Sequence, residues 1–433
     1  MTFDQILTLV VLIAVVAALI WDKVRSDVVA LSGAAVLMVT GVVRPIEVQA
    51  AFASPAILAL ASLFVIAYAL ELSGLLDRAI TLGVRMCRRL GAIGIWLMLG
   101  VIGCLSCFLN STPIVVLGAP VIRDVATTLK LPPKRYLMPL SYITVLTGCC
   151  TLIGTSTNLL VDDMARVAGQ PRFGIFEITP VGLPIALVGG LYLLLFSGKL
   201  IGRSIDEPVH ESMPVDVQVD SAQVGDATLF AEKQPFQPAR AIIAAAVFVG
   251  AIAAAALNIA PIAATAFAGA VLLILLRVIT ADQAYGGLRP QILILIAGMV
   301  VIGIAMEESK LAAAGTQKLV ESLYGFGPLT ALIVLYGLTM VLTELLSNAT
   351  VAVLMTPVAV ALSESLGVSA RPFLVAVMMA GSAAFATPFG YQTNVIVYQM
   401  GGYRYMDFVR VGLPLNLITY AVAISAIRVA FPF

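Results

Sequence analysis

Apolar runs of membrane-spanning length recur along the chain at residues 4–20, 28–43, 55–73, 136–164 and 177–198. A second set follows at 240–257, 263–279, 291–308, 373–399 and 411–431. A helix needs about 20 apolar residues to cross a hydrocarbon core of about 30 Å, so each run reads as a transmembrane helix. Between the third and fourth members of each set lies one more apolar stretch, 92–122 and 328–362, with polar residues at its middle. Neither half of such a stretch spans comfortably: Pro113 to Ile122 rises only about 15 Å as a helix. The pattern therefore predicts five transmembrane helices plus one re-entrant hairpin per set, the hairpins covering 92–127 and 328–362.

The two sets are one set written twice. A shift of 236 lays Leu31-Ser32-Gly33-Ala34 on Phe267-Ala268-Gly269-Ala270, and Gly154, Thr157 and Asn158 on Gly390, Thr393 and Asn394. Pro120 matches Pro357, and Gly182-Leu183-Pro184 matches Gly412-Leu413-Pro414 after a short deletion. Five spans is an odd number, so the second copy enters the membrane upside down, which is the inverted-repeat plan of secondary transporters. With the N-terminus outside and both hairpins non-crossing, 18 of the 25 lysines and arginines fall inside and 7 outside. That is the bias membranes impose, and counting the hairpins as full crossings breaks it. The domains expected are a first inverted repeat over 1–202 with a cytoplasmic-side hairpin, a linker over 203–238, and a second repeat over 239–433 with an outer-side hairpin. Both termini are expected outside. The linker has seven acids, four prolines and two basic residues, the composition of a cytoplasmic tether without structure of its own.

Composition closes off the other classes. Of 433 residues, 61% are hydrophobic and only 11% charged, with a mean hydropathy of +1.04. A soluble chain carries about a quarter charged residues, so a soluble enzyme and a disordered protein are excluded. The net charge of +1 offers no basic face for nucleic acid. The five cysteines, among them Cys104, Cys107, Cys149 and Cys150, have no histidine beside them and read as small packing residues; the single histidine, His210, lies in the linker. Asp4 begins the first apolar run and Lys23 and Arg25 follow it, the reverse of a cleaved leader, so this segment is expected to remain a membrane helix.

Four polar clusters interrupt the apolar background, two per repeat. The hairpins carry Asn110-Ser111-Thr112-Pro113 and Ser347-Asn348-Ala349-Thr350. The fourth span of each set is broken at Thr151 through Asn158 and at Thr387 through Asn394. Ser, Thr, Asn, Gly and Pro cap helices and tolerate unwound backbone, which persists at membrane depth only where it lines a cavity or is buried in protein. Thr112-Pro113, Thr157-Asn158 and Thr393-Asn394 read as starts of helices. Free N–H groups there suit an anion, and carbonyls ending the preceding half-helices suit Na⁺. Residues 91–122, 136–161 and 373–402 contain no charged side chain, so a doubly charged anion would meet dipoles alone, and co-bound cations would offset it. The plainer reading is four kinks with polar residues holding helices together; their relation by the repeat speaks against it. Glu344 is the one acid inside a hairpin, readable as a coupling carboxylate or as a structural bond between hairpin and scaffold. Its counterpart in the first hairpin is Cys107. Asp162 and Asp163 read as solvated. No arginine is available near the tips to fork onto a carboxylate.

At these clusters the chain resembles the divalent anion:sodium symporter family, which contains sodium-coupled sulfate and dicarboxylate carriers. The likeness is most specific at Thr387-Pro388-Phe389-Gly390-Tyr391-Gln392-Thr393-Asn394, with Val397-Tyr398 and Gly401-Gly402-Tyr403 following, and at Glu344-Leu345-Leu346-Ser347-Asn348-Ala349-Thr350. It covers both repeats. It implies an all-α, polytopic, elevator-type homodimer in the cell's plasma membrane, with hairpins and broken helices as a moving transport domain and the other helices as a fixed scaffold. One Na⁺ would sit among Ser111, Gly154, Thr155 and Asn158, another among Asn348, Gly390, Thr393 and Asn394. The substrate would lie between the tips, at Asn110, Ser111, Thr112, Ser347, Asn348, Ala349 and Thr350, with Thr151, Thr387 and Pro388 nearby. The first tip departs from the family's Ser-Asn-Thr, and Ala349 stands where Thr is usual. The function expected is sodium-coupled symport of a small divalent anion, sulfate-like first and C4-dicarboxylate second, without an organic cofactor. A proton-coupled transporter or arsenite-type exporter of the same fold is the alternative, and a non-transporting membrane receptor the alternative of another class. An enzyme is not expected.

Overall fold

The computed structural model describes all residues except Met1, 22–23, 76–77, 79–89, 202–235, 258, 312–313, 315–326 and 389. Nearly all of the linker expected at 203–238, and Phe389 of the second break, lie outside the described residues. Among the described residues every regular element is a helix.

The first half runs α1 (Phe3–Trp21), α2 (Ser26–Val39), α3 (Pro45–Phe52) and α4 (Pro55–Leu72). The hairpin follows as α5 (Ala92–Ser106) and α6 (Ser111–Thr128), then the broken helix as α7 (Lys134–Gly148) and α8 (Ser156–Val167). The last is α9 (Thr179–Tyr192), prolonged by a π turn over Leu193–Ser197. The second half repeats the order: α10 (Pro238–Ala256), α11 (Ile262–Leu275), α12 (Ala281–Gly287), α13 (Pro290–Glu308), α14 (Gly327–Thr343) and α15 (Asn348–Leu366). It ends with α16 (Arg371–Gly381), α17 (Gln392–Gly401) and α18 (Tyr405–Ala430). The short α3 and α12, 236 residues apart, escaped the hydropathy pattern. Their signals are local: Pro45 opens α3, and Thr280 with Gln283 forms a capping box at the start of α12.

Six described helices or continuous helical runs have the length and hydropathy of a membrane crossing, and six shorter apolar helices accompany them. The protein is a polytopic helical membrane protein. The hairpin arms are longer than the pattern suggested. Helix α6 continues past Pro120 and through Arg123 and Asp124 to 18 residues, and α15 reaches 19. At 1.5 Å per residue these arms rise about 27 and 28 Å, so length alone does not stop them crossing, and the non-crossing reading rests on the charge distribution.

Two groups of helices emerge from the packing. In one, α2 lies on α13 and α4 on α11, so each half's second span meets the other half's third. Glycines make this approach possible. A Cβ at Gly298 would lie 2.8 Å from the Ala30 backbone, and one at Gly269 would lie 3.3 Å from Ile66. Small residues let membrane helices approach where lipid supplies no hydrophobic drive between them. In the other group, α5 packs on α7 and α14 on α16, while α6 meets α17 and α15 meets α8, crossing between repeats. Helices α9 and α18 close that group against each other.

The Gly-Leu-Pro repeat has a packing reason. A Cβ at Gly182 would stand 2.3 Å from the Cys149 carbonyl oxygen, and one at Gly412 would stand 1.8 Å from that of Phe385. Each last span thus lies directly against the carbonyls of a helix break. Gly412→Ala is expected to lose the folded, monodisperse protein on size-exclusion chromatography in detergent. A parental elution profile and melting temperature would overturn that reading.

Candidate functional site

The tips and breaks form by capping. Asn110, not Thr112, caps α6, its side chain accepting from Thr112 N at 3.0 Å. Thr155 caps α8, accepting from Asn158 N at 3.3 Å, so α8 starts at Ser156, one residue before Thr157. Likewise α17 starts at Gln392, after Tyr391. Ser347 caps α15, accepting from Thr350 N at 3.3 Å, and the two hydroxyls lie 2.8 Å apart. The unwound segments run from Cys149 to Thr155 and from Ser382 to Tyr391, earlier than their sequence signals placed them.

The first tip and first break meet closely. Thr151 Oγ1 donates to the Cys107 carbonyl and accepts from Gly154 N at 3.2 Å. Asn158 Nδ2 donates to Thr151 O at 3.0 Å. A Cβ at Gly154 would lie 2.3 Å from the Gly148 carbonyl oxygen and 2.7 Å from that of Cys107. Two carbonyls therefore converge on the bare face of this glycine. The Asn158 side chain is fully buried, and its Oδ1 has no hydrogen-bond partner. A buried acceptor without a donor is costly unless something positive reaches it.

The tips are held to the broken helices in the same way in both halves. Ser111 Oγ donates to Thr144 O at 3.1 Å and lies 3.1 Å from Ser106 Oγ, which donates to Thr144 O at 2.8 Å. In the second half Thr343 Oγ1 donates to Asn348 Oδ1 at 2.9 Å and to Gly381 O at 2.8 Å. Ser106, Ser111 and Thr144 correspond to Thr343, Asn348 and Gly381 under a shift of 237.

The second break is fastened differently. Glu344 Oε1 accepts from Ala386 N at 2.8 Å and Asn416 Nδ2 at 2.7 Å. Its Oε2 accepts from Thr387 N at 3.0 Å and Thr387 Oγ1 at 2.9 Å. This carboxylate joins the hairpin, the break and α18. The Thr387 hydroxyl also accepts from Gly390 N at 3.0 Å, so Thr387, like Thr151, is committed to the shape of its break. Asn394 donates to Ala384 O at 2.8 Å and Thr387 O at 3.2 Å, and its Oδ1 accepts from Ser141 Oγ at 2.7 Å. Ser141 Oγ also lies 2.7 Å from Thr393 Oγ1, within reach of the threonine's own hydroxyl proton. Thr112 Oγ1 donates to Gln392 Oε1 at 3.1 Å, tying the first tip to the second break. Thr393 is fully buried, Pro388 and Gly390 are buried, Ala349 is half-buried and Ser347 exposed.

Sequence reasoning missed Ser106, Ser141, Thr144 and Asn416, along with the Cys107 and Gly148 carbonyls, and quoted Gln392 only as part of the second break. Two expectations need correction. Asp163 is buried and pairs with Arg166 at 3.3 Å, while Asp162 accepts from Phe173 N at 2.7 Å, so neither is merely solvated. Arg289, remote in sequence, lines one cavity with Asn110, so an arginine does stand beside the first tip.

Paired helix breaks with converging carbonyls, and hairpin tips capped by side chains, in a polytopic helical membrane protein are the features of a transporter. The chain matches the citrate transporter family over residues 16–367 and 345–433, which together take in most of its length, and it belongs to that family. It is 25% identical to an uncharacterized transporter of Synechocystis over 95% of both chains. It is 42% identical to sodium/sulfate cotransporter 2 of Chlamydomonas reinhardtii, over 23% of this chain and 12% of that one. A sodium-dependent dicarboxylate transporter of Staphylococcus saprophyticus is 30% identical over 33% of this chain and 27% of its own.

Proposed function

We propose that this transporter carries a small divalent anion, sulfate-like first and C4-dicarboxylate second, by sodium-coupled symport across the plasma membrane. The observation that carries the reading is the buried, unpartnered Asn158 Oδ1 beside a glycine on which the Gly148 and Cys107 carbonyls converge. Oxygen donors without a charged side chain suit a monovalent alkali cation, with Ser111 and Thr155 completing the surroundings. The second cation belongs to Asn348, Gly390, Thr393 and Asn394. The anion lies where Asn110, Ser111, Thr112 and Ser347 through Thr350 converge on helix N-termini. The relatives named as sodium/sulfate and sodium-dependent dicarboxylate carriers support this ordering.

The grouping of helices supports an elevator. Hairpins, broken helices, α9 and α18 form the moving part, while α1–α4 and α10–α13 form the scaffold of a homodimer with both termini outside and the linker inside. Uptake of radiolabelled sulfate and succinate into proteoliposomes, with an inward Na⁺ gradient and then with K⁺ in its place, tests the reading. Sodium-dependent uptake of either anion is expected. Equal uptake in K⁺ would sink sodium coupling, and no uptake of either would turn the reading toward the proton-coupled or exporting alternative. Asn158→Ala and Asn394→Ala are each expected to cut uptake at least about tenfold while leaving membrane insertion intact, given about 1.4 kcal/mol per factor of ten. Parental uptake by both would mean the site lies elsewhere.

A further inference from the structure

The first tip borders a cavity of about 60 Å³ whose far wall belongs to the other group of helices. Asn110, the cap of α6, and Ser156, the first residue of α8, line it on one side. Phe64 and Glu71 of α4 and Arg289, which immediately precedes α13, line it on the other. The two charged residues are only 8% and 6% exposed, and the guanidinium lies 5.7 Å from the centre of the Phe64 ring. The negative charge of Glu71 acts on Arg289. Two opposite charges buried at one cavity are expensive to desolvate and add little stability over apolar residues, so their presence there invites a use.

The cavity is one-sided. Second-hairpin residues Leu354 and Val358, well beyond their tip, pack against Met306 and Leu311. Their repeat equivalents in the first hairpin are Leu117 and Val121. At the corresponding end of α4, however, the first hairpin presents its tip itself, Leu109 and Asn110. The tip has thus slid toward the end where Glu71 and Arg289 sit, which is the cytoplasmic end in the topology proposed above.

We propose that Arg289 is a specificity-determining residue, the countercharge that a divalent anion at the first tip meets on this side, with Glu71 occupying the guanidinium when the anion is gone. This rests on the anion-transport reading above. A guanidinium presents forked donors to a sulfate or a carboxylate, and residues 91–122, which include the tip, offer the anion no charged side chain. Because Glu71 and the anion compete for one guanidinium, removing each partner should act in opposite directions, which a merely structural pair would not do.

The test is equilibrium binding of radiolabelled sulfate and succinate to the purified protein in Na⁺. Arg289→Gln is expected to weaken binding by about tenfold to a hundredfold, the worth of a charge-assisted hydrogen bond. Arg289→Lys, which keeps the charge but loses the fork, is expected to bind between the parent and Arg289→Gln, and Glu71→Gln to tighten binding severalfold. Equal weakening by Arg289→Gln and Glu71→Gln, or no change in either, overturns the proposal and leaves the transport reading standing. A parent protein that binds neither anion overturns the transport reading and this proposal with it. If Arg289→Gln fails to elute as folded protein, the neutral pair Glu71→Gln with Arg289→Gln replaces it. That double variant should bind more weakly than the parent, and parental affinity would overturn the proposal.

Discussion

The Gly154→Ala protein is expected to take up no sulfate at any sodium concentration, with a rate at least about a hundredfold below the parent's, equivalent to about 2.7 kcal/mol. The added methyl would stand 2.3 Å from the Gly148 carbonyl oxygen and 2.7 Å from that of Cys107. Neither carbonyl can withdraw cheaply. Gly148 is the last residue of α7, and the Cys107 carbonyl is held by the Thr151 hydroxyl. The methyl therefore pushes apart the two oxygens proposed to face the cation and leaves Asn158 Oδ1 without its companions. Gly190→Ala is the matched control, because a Cβ there meets nothing within 4 Å. Sodium-dependent uptake, read beside size-exclusion profiles of both variants, checks the prediction. Gly154→Ala retaining half the parental rate would remove the first cation site from the proposal.

Glu344→Gln is expected to lower the melting temperature by several degrees and to cut uptake alike at every pH. A carboxylate can accept from Ala386 N, Thr387 N, Thr387 Oγ1 and Asn416 Nδ2 together because it has acceptor positions on both oxygens. Glutamine turns one of those oxygens into a donor. Whichever way the amide is placed, at least one N–H of the break then faces another N–H. An unsatisfied buried donor costs about 1–3 kcal/mol, and here the loss falls on the joint between hairpin, break and α18. The contacts favour Glu344 as a fastener over Glu344 as a proton carrier. The carrier reading makes a contrary prediction: parental uptake at the best pH, with the pH dependence gone. Thermal melting and a pH series of uptake on one preparation distinguish the two.

How much of this the sequence carried depends on what each feature is made of. The helices under the apolar runs were legible because lipid demands length and hydropathy, and the second half was legible because a shift of 236 maps Gly33 onto Gly269 and Gly154 onto Gly390. Hairpin arms were judged too short because the apolar count stopped at Arg123, whereas α6 carries that residue and Asp124 onward to Thr128. The breaks were found from their Ser, Thr, Asn and Gly. Their starts were misplaced because Asn110 and Thr155 cap one or two residues ahead of the threonines that drew attention. Ser106 and Ser141 were passed over because a lone hydroxyl in an apolar helix normally bonds its own preceding turn, as Thr339 and Ser197 do, and Thr144 because it contributes its carbonyl. The carbonyls around Gly154 have no side-chain signature at all. Arg289 and Glu71 are more than 200 residues apart in opposite halves, so only the fold could bring them to Asn110.

The crossing of the halves, α2 onto α13 and α4 onto α11, also has a consequence for how the molecule is made. A ribosome that has just finished Leu72 must add 190 more residues before Ile262, the first residue of the helix that will cover α4. At about 5–20 residues per second that is a wait of roughly 10–40 s. During that interval the face of α2 around Ala30 and the Val65–Ala69 face of α4 lack the second-half helices that cover them. The amino-terminal half is therefore not a module that matures first and waits for its twin. The smallest unit that can complete its own packing is the whole chain, and the insertion machinery must keep the early helices available until the last ones arrive.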